Sequence, residues 1–71
     1  MKNDRITSFV FDNGEYYVAH TASGGAAVGM NNLCGLRVSA GHPLVATILA
    51  LTPDTVEAFV DAQISAGQIA I

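Results

Sequence analysis

Charged side chains are scarce in this chain. Three Lys/Arg and six Asp/Glu make up 13% of its 71 residues, about half the share of an average soluble domain. Hydrophobic residues fill much of the difference, at 51% with a mean hydropathy of +0.41. That balance excludes a disordered chain, which combines low hydrophobicity with high net charge. Basic residues are scarcest of all. Lys2, Arg5 and Arg37 are too few to form the clustered cations that neutralise phosphates, and no Lys or Arg occurs beyond position 37. Direct binding to nucleic acid is therefore not expected.

Cysteine is nearly absent. Cys34 stands alone, so no internal disulfide is available, and a reducing compartment is the simpler reading. The polar start, Met1 to Ser8, lacks the apolar stretch of a secretion signal. The longest strongly apolar run, Leu44 to Leu51, has eight residues and contains Thr47, whereas a membrane span needs about 20. These absences predict a cytoplasmic protein that does not enter membranes. Metal chemistry needs three or four convergent ligands, and His20, Cys34 and His42 fall in no C-x-x-C or H-x-x-x-H spacing; no metal or cofactor is expected. The glycine-rich segment from Ser23 to Asn31 invites comparison with a phosphate cradle. Gly24 and Gly29 have the outer spacing of a P-loop, but Met30 and Asn31 stand where Lys and Ser/Thr are required. Turns and close backbone packing account for these glycines instead.

What the chain does have is pattern. Ile6 to Phe11, then Asp12-Asn13-Gly14-Glu15, then Tyr16 to Thr21 reads as a β-hairpin, with Asn13-Gly14 as a two-residue type I′ turn. That register sets Phe11 opposite Tyr16, Phe9 opposite Val18 and Thr7 opposite His20 on a core face. Ile6, Val10 and Tyr17 fall on the second face with Ser8, Ala19 and Thr21. Ala26 to Met30 fits a short strand, and a further strand is expected near 35–39. The run Leu44 to Leu51 suits either a helix or a central strand; Pro43, placed at the first helical position, favours helix. A second helix is predicted from Pro53 to Ala66, with Thr52 as its cap and Gly67 as its stop. Val56, Phe59, Val60 and Ile64 form its apolar stripe, and Asp54, Glu57 and Asp61 share another face. Gln68 to Ile71 suits a short C-terminal edge strand.

The chain thus reads as one α+β domain over residues 1–71. A small antiparallel sheet built on the N-terminal hairpin is packed by one or two C-terminal helices. A domain this small buries only about 60% of the surface its unfolded chain exposes. Its apolar surplus therefore points to a non-enzymatic interaction module. Self-association, with a dimer favoured, would use Ile6, Val10, Tyr17, Ile69 and Ile71. A protein partner would be met by Asp54, Glu57 and Asp61. One alternative is a small acidic inhibitor, of the kind mobile elements encode, occupying a basic site on a larger target. Another is an oligomeric enzyme or ligand-binding subunit, with an interface site around Cys34, His20 and His42.

Overall fold

The structure, a computed structural model, describes residues 5–31 and 35–69. Four strands precede two helices: β1 (Ile6–Asp12), β2 (Tyr16–Thr21), β3 (Ala26–Met30), β4 (Leu36–Val38), α1 (Leu44–Leu49) and α2 (Val56–Ser65). The strands form one antiparallel sheet in the order β1-β2-β3-β4, each beside its neighbour in sequence. Both helices pack on β2 and β3. The result is a two-layer α+β fold. No helix among the described residues is long and apolar enough to cross a membrane.

Alternation along the strands divides the sheet into two faces. Val18, Ala26, Val28 and Val38 line the helix-covered face, where they meet Ile48 of α1, Val56 and Val60 of α2, and Ile69. Leucines 44, 49 and 51, with Phe59 and Ile64, close the margins of this core. The opposite face carries a smaller cluster of Tyr17, Ala19 and Ala27, with Ile6 packed against it. β2 is thus buried on both sides, as a central strand should be.

The hairpin forms where it was expected, with a different turn and register. A type I′ turn needs two positive φ angles, yet Gly14 (φ 95°) is the only residue of this loop to have one. Side chains explain the change. Asn13 Oδ1 accepts N–H bonds from Glu15 (3.0 Å) and Tyr16 (2.9 Å), and Asp12 Oδ1 accepts from Gly14 (3.0 Å). With Asn13 N–H donating to the Tyr16 carbonyl, Gly14 and Glu15 become the corner residues, so Asp12 pairs with Tyr17 and Phe11 with Val18. Two irregularities, between Phe9 and Phe11 and between Ile6 and Ser8, then absorb one residue each. Each is a β-bulge, which takes up an extra residue and bends its strand. Phe9 consequently lies opposite Ala19, not Val18, and moves to the face away from the helices.

The run from Leu44 resolves as a helix through Leu49. It is buried on one side only, since Ala46 and Thr47 are exposed while Ile48 is buried. At the start of α2, Thr52 Oγ1 does accept the Asp54 N–H (3.3 Å), but regular helix begins only at Val56. Residues 53–55 form a tighter turn, in which Thr55 N–H and Val56 N–H both donate to the Thr52 carbonyl. Gly67 (φ 78°) terminates α2: its N–H donates to Ile64 and that of Gln68 to Gln63, a Schellman closure. That reversal drives Ile69 into the core at 3% exposure. Residues 68–69 therefore form a bend rather than the expected edge strand; residues 70–71 lie outside the described residues.

Candidate functional site

Burial sorts the residues expected to mediate self-association. Val10 is exposed at 42%. Ile6 is half-buried against Tyr17, Ala19 and Ala27. Tyr17 itself is 9% exposed and Ile69 only 3%, so neither is on offer to a partner. Ile71 lies outside the described residues. Phe9, assigned by its expected register to the core face, is instead the most exposed large hydrophobic side chain described, at 54%. Its ring stands edge-on to Tyr17, with centroids 6.1 Å apart and planes at 85°, a favourable aromatic geometry. The local signal for this was the unbroken triplet Phe9-Val10-Phe11, which cannot follow strict alternation on a one-sided sheet.

Tyr17 is held flat by glycines. Gly29 is its cross-strand partner, and a Cβ built there would come within 3.1 Å of Tyr17 Oη and 2.7 Å of Gly35 Cα. A Cβ at Gly35 would come within 2.6 Å of the same phenol oxygen. Gly25, in turn, lies where a Cβ would collide with the Val38 carbonyl. The glycine-rich segment therefore serves close backbone approach and a seat for an aromatic ring. Thr21 braces its start, its Oγ1 accepting the Gly25 N–H (3.1 Å).

Asp54, Glu57 and Asp61 are all exposed. Glu57 and Asp61 are on α2, while Asp54 sits in the turn that precedes it. Glu57 and Asp61, but not Asp54, act on a residue that sequence spacing did not connect to them. The half-buried Tyr16 phenol has its pKa pushed up, first by burial and then by the negative charges of Glu57, Asp61 and Glu15. The negative field of carboxylates from the hairpin turn and from α2 thus reaches one tyrosine. Asp12, at the same turn, has its pKa lowered by the hydrogen bonds from Gly14 and from Asn31 Nδ2 (2.9 Å).

The residues considered for interface chemistry are placed as follows. His20 is exposed at the end of β2. His42 is exposed, and its Nδ1 accepts the Leu44 N–H (3.0 Å) at the start of α1, a local helix-start role. Cys34 lies outside the described residues. Among the described residues, no group of three or more His, Cys, Asp or Glu could hold a metal ion. No known family model matches this chain, and no curated protein or solved structure is significantly similar to it.

Proposed function

We propose that this chain is a small non-enzymatic interaction module that forms a homodimer through the β1 side of its sheet. One observation carries the reading: Phe9 and Val10, adjacent on the outermost strand, are 54% and 42% exposed. No charged residue or proline interrupts β1 between Arg5 and Asp12, whereas edge strands that must stay single commonly carry them. The two bulges bend this edge, which favours contact through side chains over a long shared hydrogen-bond ladder. A two-fold contact uses each residue twice. Fully burying a Phe or Val side chain contributes about 1.5–3 kcal/mol, so Val10→Asp and Phe9→Asp should each weaken the dimer at least about tenfold. Sedimentation equilibrium over a dilution series reads this directly. Unchanged solution mass in folded variants would remove the β1 side as the interface, and a wild-type monomer at every concentration would remove self-association. The cytoplasm is the compartment proposed, on the strength of the single cysteine.

A second reading is favoured by the exposed carboxylates of Glu57 and Asp61 on α2, whose negative field reaches Tyr16 together with that of Glu15. An acidic surface of this kind suits a basic protein surface, and it would serve a partner or a target to be inhibited. Glu57→Lys with Asp61→Lys should reduce such binding more than tenfold while the fold persists, since both side chains are exposed. Equal capture of a basic partner by the double variant would exclude this surface of the molecule.

A further inference from the structure

The hairpin turn assembles three groups that matter to an intramolecular acyl transfer. Asn13 and Gly14 are adjacent and exposed, and nothing lies within 4 Å of the position a Gly14 Cβ would take. The Gly14 N–H donates to Asp12 Oδ1 at 3.0 Å. The Asn13 side-chain oxygen accepts two backbone N–H groups, from Glu15 at 3.0 Å and Tyr16 at 2.9 Å. A nucleophilic nitrogen thus has a carboxylate at its proton, and an adjacent carbonyl has two donors at the oxygen on which negative charge would develop.

We propose that Asn13 is a self-modification site, at which the folded turn converts the side-chain amide into an aspartyl or isoaspartyl residue. The Gly14 nitrogen gives up its proton toward the Asp12 carboxylate and attacks Asn13 Cγ, forming the N–Cγ bond of a five-membered succinimide. The Cγ–Nδ2 bond breaks, and ammonia leaves with the proton returned. One water molecule then opens the ring at either carbonyl, and nothing is oxidised or reduced. The aspartyl product keeps an acceptor for the Glu15 and Tyr16 N–H groups and adds a negative charge beside Asp12 and Glu15. The isoaspartyl product inserts a methylene into the main chain where Asn13 N–H closes the hairpin on Tyr16. Modification would therefore act on the register of β1.

The test compares the purified protein kept folded near neutral pH with the same protein unfolded in guanidinium chloride. After timed incubation, trypsin releases the segment from Ile6 to Arg37, and fragmentation mass spectrometry locates any amide-to-acid conversion among Asn13, Asn31 and Asn32. Conversion at Asn13 is expected to be faster in the folded protein by on the order of tenfold, less than a fully positioned catalytic base supplies. Asp12→Asn preserves an acceptor for the Gly14 N–H while removing the charge, and should bring the folded rate down to the unfolded one. A folded rate equal to or below the unfolded rate overturns the proposal. That comparison needs no variant, so it stands even if Asp12→Asn fails to fold.

Discussion

Tyr17 shows how much one side chain can demand of its neighbours. Its ring covers the face of the sheet that the helices leave open, and its phenol oxygen occupies space that a Cβ at Gly29 or Gly35 would claim. Glycine in a strand is weakening in itself, and an aromatic partner laid across it offsets that loss. Gly29→Ala should therefore destabilise the protein by about 1–3 kcal/mol through overpacking, a fall in Tm of about 4–8 °C per kcal/mol for a domain this size. In a double-mutant cycle, part of this penalty should vanish on a Tyr17→Phe background, because the phenol oxygen is one of the atoms in the way. Strict additivity of the two changes would show that Gly29 is required for its approach to Gly35 alone. The composition of the glycine-rich segment could be read as turns and close packing, yet nothing in it named Tyr17 as the ring being seated. That relation exists only once β2 and β3 are in register.

At the level of elements, signals confined to a few consecutive residues were legible. Asn13-Gly14 marks the hairpin, Pro43 the start of α1 and Gly67 the end of α2, because each carries a local conformational preference that needs no distant partner. Register was not legible as a whole, since it depends on how the side chains of Asp12 and Asn13 hold the turn and on two bulges, of which only the one at Phe9-Val10-Phe11 leaves a mark in the local pattern. The fate of the last residues was hidden for a related reason. Gln68 and Ile69 look like strand by composition, but the reversal at Gly67 directs Ile69 inward before any strand can begin. Placing a Cβ at this positive φ costs about 1–2 kcal/mol. Gly67→Ala should lower stability by about that amount, with Ile69 as the contact loosened. Hydrogen exchange would then rise at the Gln68 and Ile69 amides, which close the helix on Gln63, before it rises in β2. Uniform acceleration across the chain would contradict this local account.

Across the whole molecule, carboxylates from both layers act on one tyrosine. Glu15 of the hairpin turn and Glu57 and Asp61 of α2 all add to the negative field at the Tyr16 phenol. Helical spacing puts Glu57 and Asp61 on a common face, but it does not add Glu15 to their field, because that depends on how α2 packs against the sheet. The tyrosine's pKa is raised in the folded state. Its contribution to stability is then fully present below the unfolded tyrosine value, about 10, and is lost as pH climbs from there through the raised folded value. Urea midpoints followed from neutral into strongly alkaline solution should fall over that window, and Tyr16→Phe should flatten the fall. An identical alkaline decline in the variant would assign it to other groups.

Because every strand pairs with its immediate neighbour in sequence, the pairing of the sheet needs no residue beyond Val38. Closing short loops carries a small entropic cost, and a hairpin forms in about 1–10 μs. The helices that cover Val18, Val28 and Val38 follow the sheet in sequence, so a folding intermediate with the sheet paired and the helices undocked leaves that face bare. In such a species the sheet is apolar on both sides. The hazard of aggregation is therefore concentrated before the helices dock, and it is that species a chaperone would have most to protect.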